Sequence, residues 1–316
     1  MNVRPLRFVM DLGVTLAKLL MQWGTGRRQF GSQECYTPAF IQPKNGGVSI
    51  AAQRAFDDGH SFFERFEGTI SAEEDLEGKD LLDIGSGCGG RTAYYALHGN
   101  PKSTVGLDIS PLRSSVAKQS APKLCNGSKV FFVVGFAERL PFRAESFDVV
   151  LSYDVFEHVQ DLRITLEECH RVLKPGGQLF ALFPPYYGAR AHHLDFITTL
   201  PFLHHVFSPS ALVTAANEIL KEKPWLRDSP LPSPGRSYLG RQVLPRLNGT
   251  TERDFRRILA ALPFEVRDIT LVPFARGGGA AAKRITHVLC KSMLRVALPF
   301  TRDVLIGSIR CVLRKR

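Results

Sequence analysis

Hydrophobic residues in the middle of the chain alternate between short continuous runs and segments with helical spacing. In one such segment, Leu162, Leu166 and Cys169 fall on a single helix face, behind Asp161 as a candidate N-cap. The continuous runs cover residues 81–84, 104–107, 130–134, 147–151 and 178–183. Strands that are apolar on both faces are typical of a parallel sheet covered by helices. The alternation predicts βαβ units and a doubly wound α/β fold.

Three further segments close the predicted sheet. Residues 251–262 have helical spacing behind a threonine cap, and residues 264–272 and 285–289 are apolar runs. The glycines at 277–279 lie between these two runs and predict a hairpin, which makes the last strand an antiparallel edge strand. The sequence thus predicts a mostly parallel seven-stranded sheet with an antiparallel edge strand, plus N- and C-terminal helical extensions.

The same pattern divides the chain into five parts. Residues 186–250 interrupt the strand–helix rhythm with proline, histidine and aromatic residues. An insertion of this kind is either a disordered loop or a functional lid, and we expect a lid over a substrate pocket. The predicted parts are an N-terminal helical extension at 1–60, a Rossmann-like core at 61–185, the insertion at 186–250, the completion of the sheet at 251–292 and a basic amphipathic tail at 293–316.

The net charge of +11 is concentrated at one end of the 316-residue chain. Residues 283–316 contain nine basic residues and one acid, Asp303, so they carry +8 and leave +3 for the other 282 residues. Within 293–316 basic and apolar residues are interspersed, and Pro299 divides two predicted helical pieces. This composition fits a segment lying on an anionic membrane surface, and it equally fits a helix docked on the body with solvated arginines. RNA binding is the third interpretation; because no RNA-binding module is recognisable, we expect no nucleic-acid partner.

Cysteine usage and hydropathy bear on the cellular location. The six cysteines are widely spaced, without a Cys-x-x-Cys pair, which indicates reduced thiols. No stretch reaches the roughly 18 uncharged apolar residues of a membrane-spanning helix. Asp11 and Lys18 interrupt the apolar N-terminal run, which we interpret as an amphipathic helix and not as a signal peptide. We expect a cytoplasmic protein, with a peripheral position on the inner face of a membrane if the tail binds lipid.

A glycine-rich motif directly follows the first apolar run, in the string Leu81-Leu-Asp-Ile-Gly-Ser-Gly-Cys-Gly-Gly90. Glycines allow a sharp turn and a close approach of backbone to ligand, and a helix that begins behind them offers free N–H groups. The string matches the dinucleotide fingerprint and also resembles motif I of class I methyltransferases that use S-adenosylmethionine (SAM). A tight turn without a ligand would need the same glycines. Asp108 ends the next run, where an acid can accept hydrogen bonds from ribose hydroxyls in both cofactor classes.

Four downstream strings favour the SAM interpretation. They are Gly135-Phe-Ala-Glu-Arg-Leu-Pro-Phe142, Ser146-Phe-Asp-Val-Val150, Tyr153-Asp-Val-Phe-Glu-His158 and Arg171-Val-Leu-Lys-Pro-Gly-Gly177. In this order they resemble the type 11 methyltransferase-domain family, a class I SAM-dependent family that includes the UbiE-like quinone-ring methyltransferases. The resemblance covers about Asp80–Phe183. It implies SAM as the cofactor and methyl transfer as the reaction.

The resemblance also implies roles for individual residues. Those implied at the cofactor are Asp83 and the turn Gly85, Ser86, Gly87 and Gly89 at the methionine end, Asp108 at the ribose, Ile109 and the Ala137 amide at the adenine, and Tyr153 beside them. The family usually has an acid before the alanine, where this chain has Phe136. Either Phe136 stacks on the adenine or Glu138 supplies the polar contact, and we favour stacking.

Histidines are the candidate general bases, because removal of a proton from the methyl acceptor suits an imidazole near neutral pH. His158, after the fourth run, is the first candidate, and His192 and His193 follow. A histidine at the position of His158 can instead pack or cap. The pairs at 192–193 and 204–205 could also ligate a metal, but no cysteine or glutamate is in register with them, so we predict no metal site and expect them to line the substrate pocket.

These observations predict a SAM-dependent methyltransferase acting on a small-molecule or lipid-linked acceptor, by O- or C-methylation. Two other functions stay open at this stage. The basic pI of about 9.5 motivates an RNA-directed methyltransferase, and Phe136 with the undecided base motivates a catalytically silent SAM-binding protein at a membrane.

Overall fold

The computed structural model describes most of the chain and resolves it into two units. The described residues are 4–23, 41–43, 47–66, 69–189, 191–226, 229–237, 240–274, 288–289, 293 and 302–316. The core unit comprises Pro38–Phe183, Asp254–Leu271 and Ile309–Arg316. The helical unit comprises Met1–Thr37, Pro184–Arg253 and Val272–Ser308.

Seven strands of the described residues form one sheet. The strands among the described residues are β1 (Asp80–Ile84), β2 (Ser103–Asp108), β3 (Val130–Val134), β4 (Phe147–Tyr153), β5 (Leu173–Phe183), β6 (Gly235–Arg236), β7 (Gln242–Val243), β8 (Phe264–Pro273) and β9 (Ile306–Lys315). The sheet has the order β3-β2-β1-β4-β5-β9-β8, and β6 pairs with β7 separately. Neighbours among β1 to β5 are parallel, whereas β9 is antiparallel to β5. The predicted α/β fold is confirmed; the antiparallel strand is β9, beside the edge strand β8.

Helices connect the parallel strands, and several begin at the residues that the sequence predicted. The helices are α1 (Arg4–Trp23), α2 (Ile50–Asp57), α3 (His60–Arg65), α4 (Ala72–Leu76), α5 (Gly90–Gly99), α6 (Pro111–Leu124), α7 (Leu162–Val172), α8 (Leu203–Val206), α9 (Pro209–Glu222), α10 (Glu252–Ala260) and α11 (Arg302–Leu305). The Asp161 carboxylate caps α7 by accepting from the N–H groups of Arg163 and Ile164, at 2.9 and 3.2 Å.

Buried apolar side chains of strands and helices form the core of the core unit. One cluster contains Phe62, Phe66, Leu76, Leu81, Tyr95, Leu151, Phe180 and Val312. A second cluster joins α5, α6 and β3 through Ala93, Ala96, Ala117, Ala121 and Phe132. Burial of each large apolar side chain stabilises the fold by about 1.5–3 kcal/mol, so these clusters fix the positions of the strand ends that follow.

The helical unit has a hydrophobic cluster of its own, built mainly from residues 186–247 with two residues of α1. Its buried members include Ala17, Met21, Leu212, Ala216 and Ile219. Beside the cluster, the Lys18 ammonium lies 2.7 Å from a carboxylate oxygen of Glu222 and 3.2 Å from one of Glu218. The insertion predicted at 186–250 is therefore folded in its described residues, and the predicted N-terminal helix packs within the same unit.

The prediction of an amphipathic helical tail is wrong over residues 306–315, which form β9. Only the short α11 precedes the strand. Ile309, Cys311, Val312 and Leu313 are almost fully buried, because β9 lies inside the sheet between β5 and β8. The Arg310 guanidinium is held inside the protein as well, 3.2 Å from the Asp268 carboxylate. This part of the basic tail therefore offers neither a helix nor a free apolar face to a membrane.

Two other sequence predictions concern the membrane and the last strand. Among the described residues, no helix has the length and hydropathy needed to cross a bilayer. The predicted strand at 285–289 lies outside the described residues except for Val288 and Leu289, which are helical and exposed. Most of residues 283–301 lies outside the described residues too.

Candidate cofactor-binding site

The glycine-rich motif forms the turn between β1 and α5, at the C-terminal edge of the parallel strands. Gly85, Gly87 and Gly89 all have positive φ angles, of 80°, 55° and 81°. At Gly85 an added Cβ would also lie 2.1 Å from a methyl carbon of Val155. The Gly85 and Ser86 N–H groups donate to the Leu107 carbonyl oxygen, which fixes the turn. No side chain among the described residues caps α5, so the first N–H groups of the helix are left for a ligand.

The turn faces the carboxylate of Asp108, which ends the neighbouring strand β2. The Gly87 N–H donates to Asp108 Oδ2 at 3.0 Å, and the Ser110 N–H donates to Oδ1 at 2.8 Å. Parallel pairing of β1 with β2 produces this arrangement, because it sets Ile84 opposite Leu107 and brings both strand ends to one edge. Each carboxylate oxygen keeps a second acceptor position for a ligand hydroxyl. The sequence predicted this juxtaposition, and the geometry supports it.

Gly90 is required for a different reason, because α2 crosses directly over the start of α5. A Cβ at Gly90 would lie 2.0 Å from the Ala52 carbonyl oxygen and 2.7 Å from the Phe56 backbone nitrogen. Both neighbours are backbone atoms of a packed helix, which cannot yield by a rotamer change.

Replacement of Gly90 by alanine is therefore expected to destabilise the core unit by about 3 kcal/mol, at the upper end of the cost of overpacking. Urea unfolding gives the free energy. Gly127→Ala is the matched control, since Gly127 has a φ of 78° and no atom lies within 4 Å of the position that a Cβ would take there; backbone strain alone should cost it about 1–2 kcal/mol. Equal losses for the two variants would contradict the steric argument.

Asp83 is buried beneath the turn, and the pKa of its carboxyl group is raised. Its Oδ2 accepts a hydrogen bond from the Thr92 hydroxyl, and its side chain is only 5% exposed. Burial raises the pKa of Asp83 to about 7; the nearby Asp108 also raises it, while Thr92 and Arg91 lower it. A cationic ligand group placed against this carboxyl would favour its ionised form.

Arg91 is a component of the site that the sequence interpretation missed. Its guanidinium carbon lies 4.1 Å from the centre of the Tyr153 ring, and its Nη2 lies 2.6 Å from Asp58 Oδ2. Tyr153 ends β4, so the pair joins the glycine turn to the neighbouring strand end. One feature of the sequence could have indicated this role, because Arg91 lies one residue inside the helix that follows the glycines. The arrangement places a cation beside Asp83, where a ligand carboxylate could bind.

Two exposed apolar side chains mark the other half of the site. Ile109, after β2, is 60% exposed and Phe136, after β3, is 51% exposed. The strand ends that carry them are adjacent, since Asp108 pairs with Val134 in the sheet. Ala137 is buried. Glu138 accepts from the Gln160 N–H, so its carboxylate already has a partner, and the geometry favours Phe136 as the side chain that stacks on a planar ring.

His158 lies in the core unit on the loop after β4. Its ring is partly exposed, and Nε2 lies 3.6 Å from Oε1 of Glu157. Glu157 is buried, and neither of its carboxylate oxygens has a hydrogen-bond partner among the described residues. Burial raises the pKa of Glu157 well above its ordinary value, and the charge of Asp154 raises it further. The loop thus pairs an accessible imidazole with a buried carboxyl group.

The other two candidate bases belong to the helical unit. The His192 ring is almost fully buried; its Nε2 lies 2.9 Å from the Leu200 carbonyl oxygen, and its Nδ1 accepts from the Leu194 N–H at 3.0 Å. Because both nitrogens are held by backbone, His192 is a structural residue here and not the general base that the sequence suggested. His193 adopts a left-handed backbone conformation, with a φ of 53°. Burial and the neighbouring histidines lower the pKa of His204 to about 3, so this ring is neutral.

Comparison with known proteins gives consistent matches in the core unit. Residues 82–181 match a family described as "Methyltransferase domain". A ubiquinone biosynthesis O-methyltransferase of Chelativorans sp. is 37% identical over 109 residues, which are 34% of this chain and 42% of that protein. A phthiotriol/phenolphthiotriol dimycocerosates methyltransferase of Mycobacterium tuberculosis is 38% identical over 111 residues, 34% of this chain and 38% of that protein. The matches thus span less than half the length of these curated relatives.

A solved structure to which the chain is similar is the S-adenosylmethionine dependent methyltransferase from Mesorhizobium loti. It aligns with a TM-score of 0.47 at 13% identity, over 81% of this chain and 99% of that one.

Proposed function

We propose that the protein transfers a methyl group from SAM to a small-molecule or lipid-linked acceptor, because residues 82–181 match a methyltransferase-domain family. The acceptor class is suggested by the names of the relatives, which specify ubiquinone biosynthesis in one case and phthiotriol/phenolphthiotriol dimycocerosates in the other. Methylation at oxygen or at carbon is compatible with the same cofactor site.

One observation carries the proposal: the Gly87 N–H donates to the Asp108 carboxylate. This hydrogen bond holds the glycine turn next to the Asp108 carboxylate. The remaining acceptor positions of that carboxylate suit the two hydroxyls of a ribose. Asp83 and Arg91 then lie on the side of the turn that suits an ammonium and a carboxylate, and Ile109 and Phe136 on the side that suits a planar base. An amino acid joined to a nucleoside, as in SAM, would satisfy all of these groups.

Bound SAM supplies a methyl group on a positively charged sulfur, already activated for in-line displacement. The protein has to position the acceptor and, for a hydroxyl acceptor, remove its proton. We assign proton removal to His158, because its ring is accessible on the loop after β4 and an imidazole can accept a proton near neutral pH. The contact of its Nε2 with Glu157 Oε1, at 3.6 Å, restrains the ring.

Titration calorimetry with SAM, followed by transfer of labelled methyl groups into a lipid extract, tests the proposal. We expect binding and an organic-soluble labelled product. Label in RNA would support the RNA-directed alternative instead, and SAM binding without transfer to any fraction would support a silent binding protein. A folded chain that gives no heat with SAM would refute the proposal.

Replacement of Arg91 by glutamine is expected to weaken SAM binding about tenfold, because one charge-assisted hydrogen bond contributes about 1.5–3 kcal/mol and the partly exposed setting reduces that value. Decarboxylated SAM, which lacks the group that Arg91 would hold, should bind both proteins equally. A similar loss for both ligands would show that Arg91 supports the turn and does not contact the carboxylate.

A further inference from the structure

Helix α1 has two separate apolar faces, and the residues that the structure describes cover only one of them. Ala17 and Met21 are fully buried in the cluster of the helical unit. Leu12, Leu16, Leu19 and Trp23 are 60, 48, 58 and 77% exposed. At about 100° per residue, these four positions form a single stripe on the side of the helix away from Ala17 and Met21.

The orientation of this stripe is fixed by contacts on the other side of the helix. Lys18 is bound to both Glu218 and Glu222 of α9, and Gln22 also donates to Glu222 at 3.1 Å. Rotation of α1 to hide the stripe would break these polar contacts and expose Ala17 and Met21. The stripe is therefore a lasting feature of the surface.

From these contacts we infer that the stripe of α1, Leu12, Leu16, Leu19 and Trp23, binds the surface of an anionic lipid bilayer. Besides Lys18, which α9 binds, residues 1–30 contain four basic residues and one acid, which is the charge that anionic lipid headgroups attract. A tryptophan at the end of an apolar stripe suits the boundary between acyl chains and headgroups. The inference extends the proposed function, because a lipid-linked acceptor would be presented at such a surface.

A second copy of the chain is the other candidate occupant, since the spacing of the stripe also permits helix pairing. Pairing of two copies along the stripe would bring together two N-terminal segments of like charge, which is unfavourable. An anionic bilayer instead adapts to the shape of the stripe and attracts these charges. The charge therefore favours the lipid surface.

Flotation with vesicles tests the inference on the full chain. Vesicles of phosphatidylcholine with phosphatidylglycerol should carry the protein, and pure phosphatidylcholine vesicles should carry much less. The triple variant Leu12→Gln, Leu16→Gln, Leu19→Gln should bind about tenfold less. Val206→Gln is the matched control, an apolar residue that is 72% exposed outside α1, and it should float like the unchanged chain.

Tryptophan fluorescence gives a second measurement that needs no change in the stripe. The chain has two tryptophans, so in Trp225→Phe the emission comes from Trp23 alone and should shift to the blue when anionic vesicles are added. No shift, or equal flotation of the triple variant, would overturn the inference. If the unchanged chain sediments as a dimer and the triple variant as a monomer, the stripe binds a second copy of the chain. SAM calorimetry on the same proteins separates these outcomes from failure of the proposed function.

Discussion

Replacement of Asp83 by asparagine is expected to weaken SAM binding about 100-fold while making the unliganded chain more stable near neutral pH. The loss follows from the missing charge opposite the ligand ammonium, since a hydrogen bond to a charged group contributes up to about 3 kcal/mol. The gain follows from burial, which raises the pKa of Asp83 to about 7. Calorimetry and urea unfolding measure the two effects.

The free energy of unfolding depends on pH through Asp83, and this dependence sets the direction of the expected stability change. The folded chain holds the Asp83 proton more tightly than the unfolded chain, where the pKa is about 3.9. Ionisation of Asp83 therefore costs nothing below about pH 4, costs progressively more up to about pH 7, and reaches at most about 4 kcal/mol above that. Asparagine removes this cost, so the variant should gain about 4 kcal/mol of stability at about pH 8, less than half of that at about pH 5, and little at about pH 3.5.

SAM binding should follow the same ionisation. The ammonium of the ligand needs the carboxylate, so the dissociation constant of the unchanged protein should be about tenfold higher at about pH 6 than at about pH 7.5. The Asp83→Asn variant should lose this dependence. A pH-independent dissociation constant for the unchanged protein would contradict the assignment of Asp83 to the ammonium.

Asp80 provides the matched control at the opposite end of β1. Its carboxylate lies 2.7 Å from the Lys174 ammonium, which lowers its pKa, with a smaller contribution from Ser103. Its charge therefore stabilises the fold above the pKa of the unfolded chain, and this contribution is lost as the pH falls through the lowered value. Asp80→Asn should reduce stability near neutral pH and leave SAM binding unchanged.

Replacement of His158 by glutamine is expected to reduce kcat about 100-fold or more for a hydroxyl acceptor, because a positioned base contributes about 10²–10⁴. The dissociation constant of SAM should stay within about twofold of the unchanged value, since the ring is assigned to the acceptor. The rate is measured with the acceptor identified from the labelled product.

Two matched variants make the test of His158 specific. His60 has an exposed ring in the same unit, so His60→Gln controls for loss of a histidine as such and should keep full activity. His193→Gln tests the remaining candidate. Loss of kcat in His193→Gln with full activity in His158→Gln would transfer the role to His193, and full activity in both would show that the acceptor needs no histidine base.

The sequence alone determined the parallel part of the fold and the outline of the cofactor site. Strands buried on both faces must be continuously apolar, so β1 to β5 could be located from hydropathy. Gly85 and Gly87 adopt positive φ, which L side chains avoid, and the need for such residues is visible in the sequence itself. The acid at the end of β2 was expected opposite this turn because parallel strands end at one edge of the sheet.

Only the tertiary structure decided which side chains are ionised, which are fixed by hydrogen bonds and which are exposed. β9 pairs with β5 from far along the chain, and local composition cannot distinguish a buried strand from a basic helix when its partner is unknown. The pKa of Asp83 depends on burial, and the two nitrogens of His192 are occupied by backbone groups that its neighbours in the fold supply. The two apolar faces of α1 look alike in the sequence; packing against α9 covers one and leaves the other to solvent.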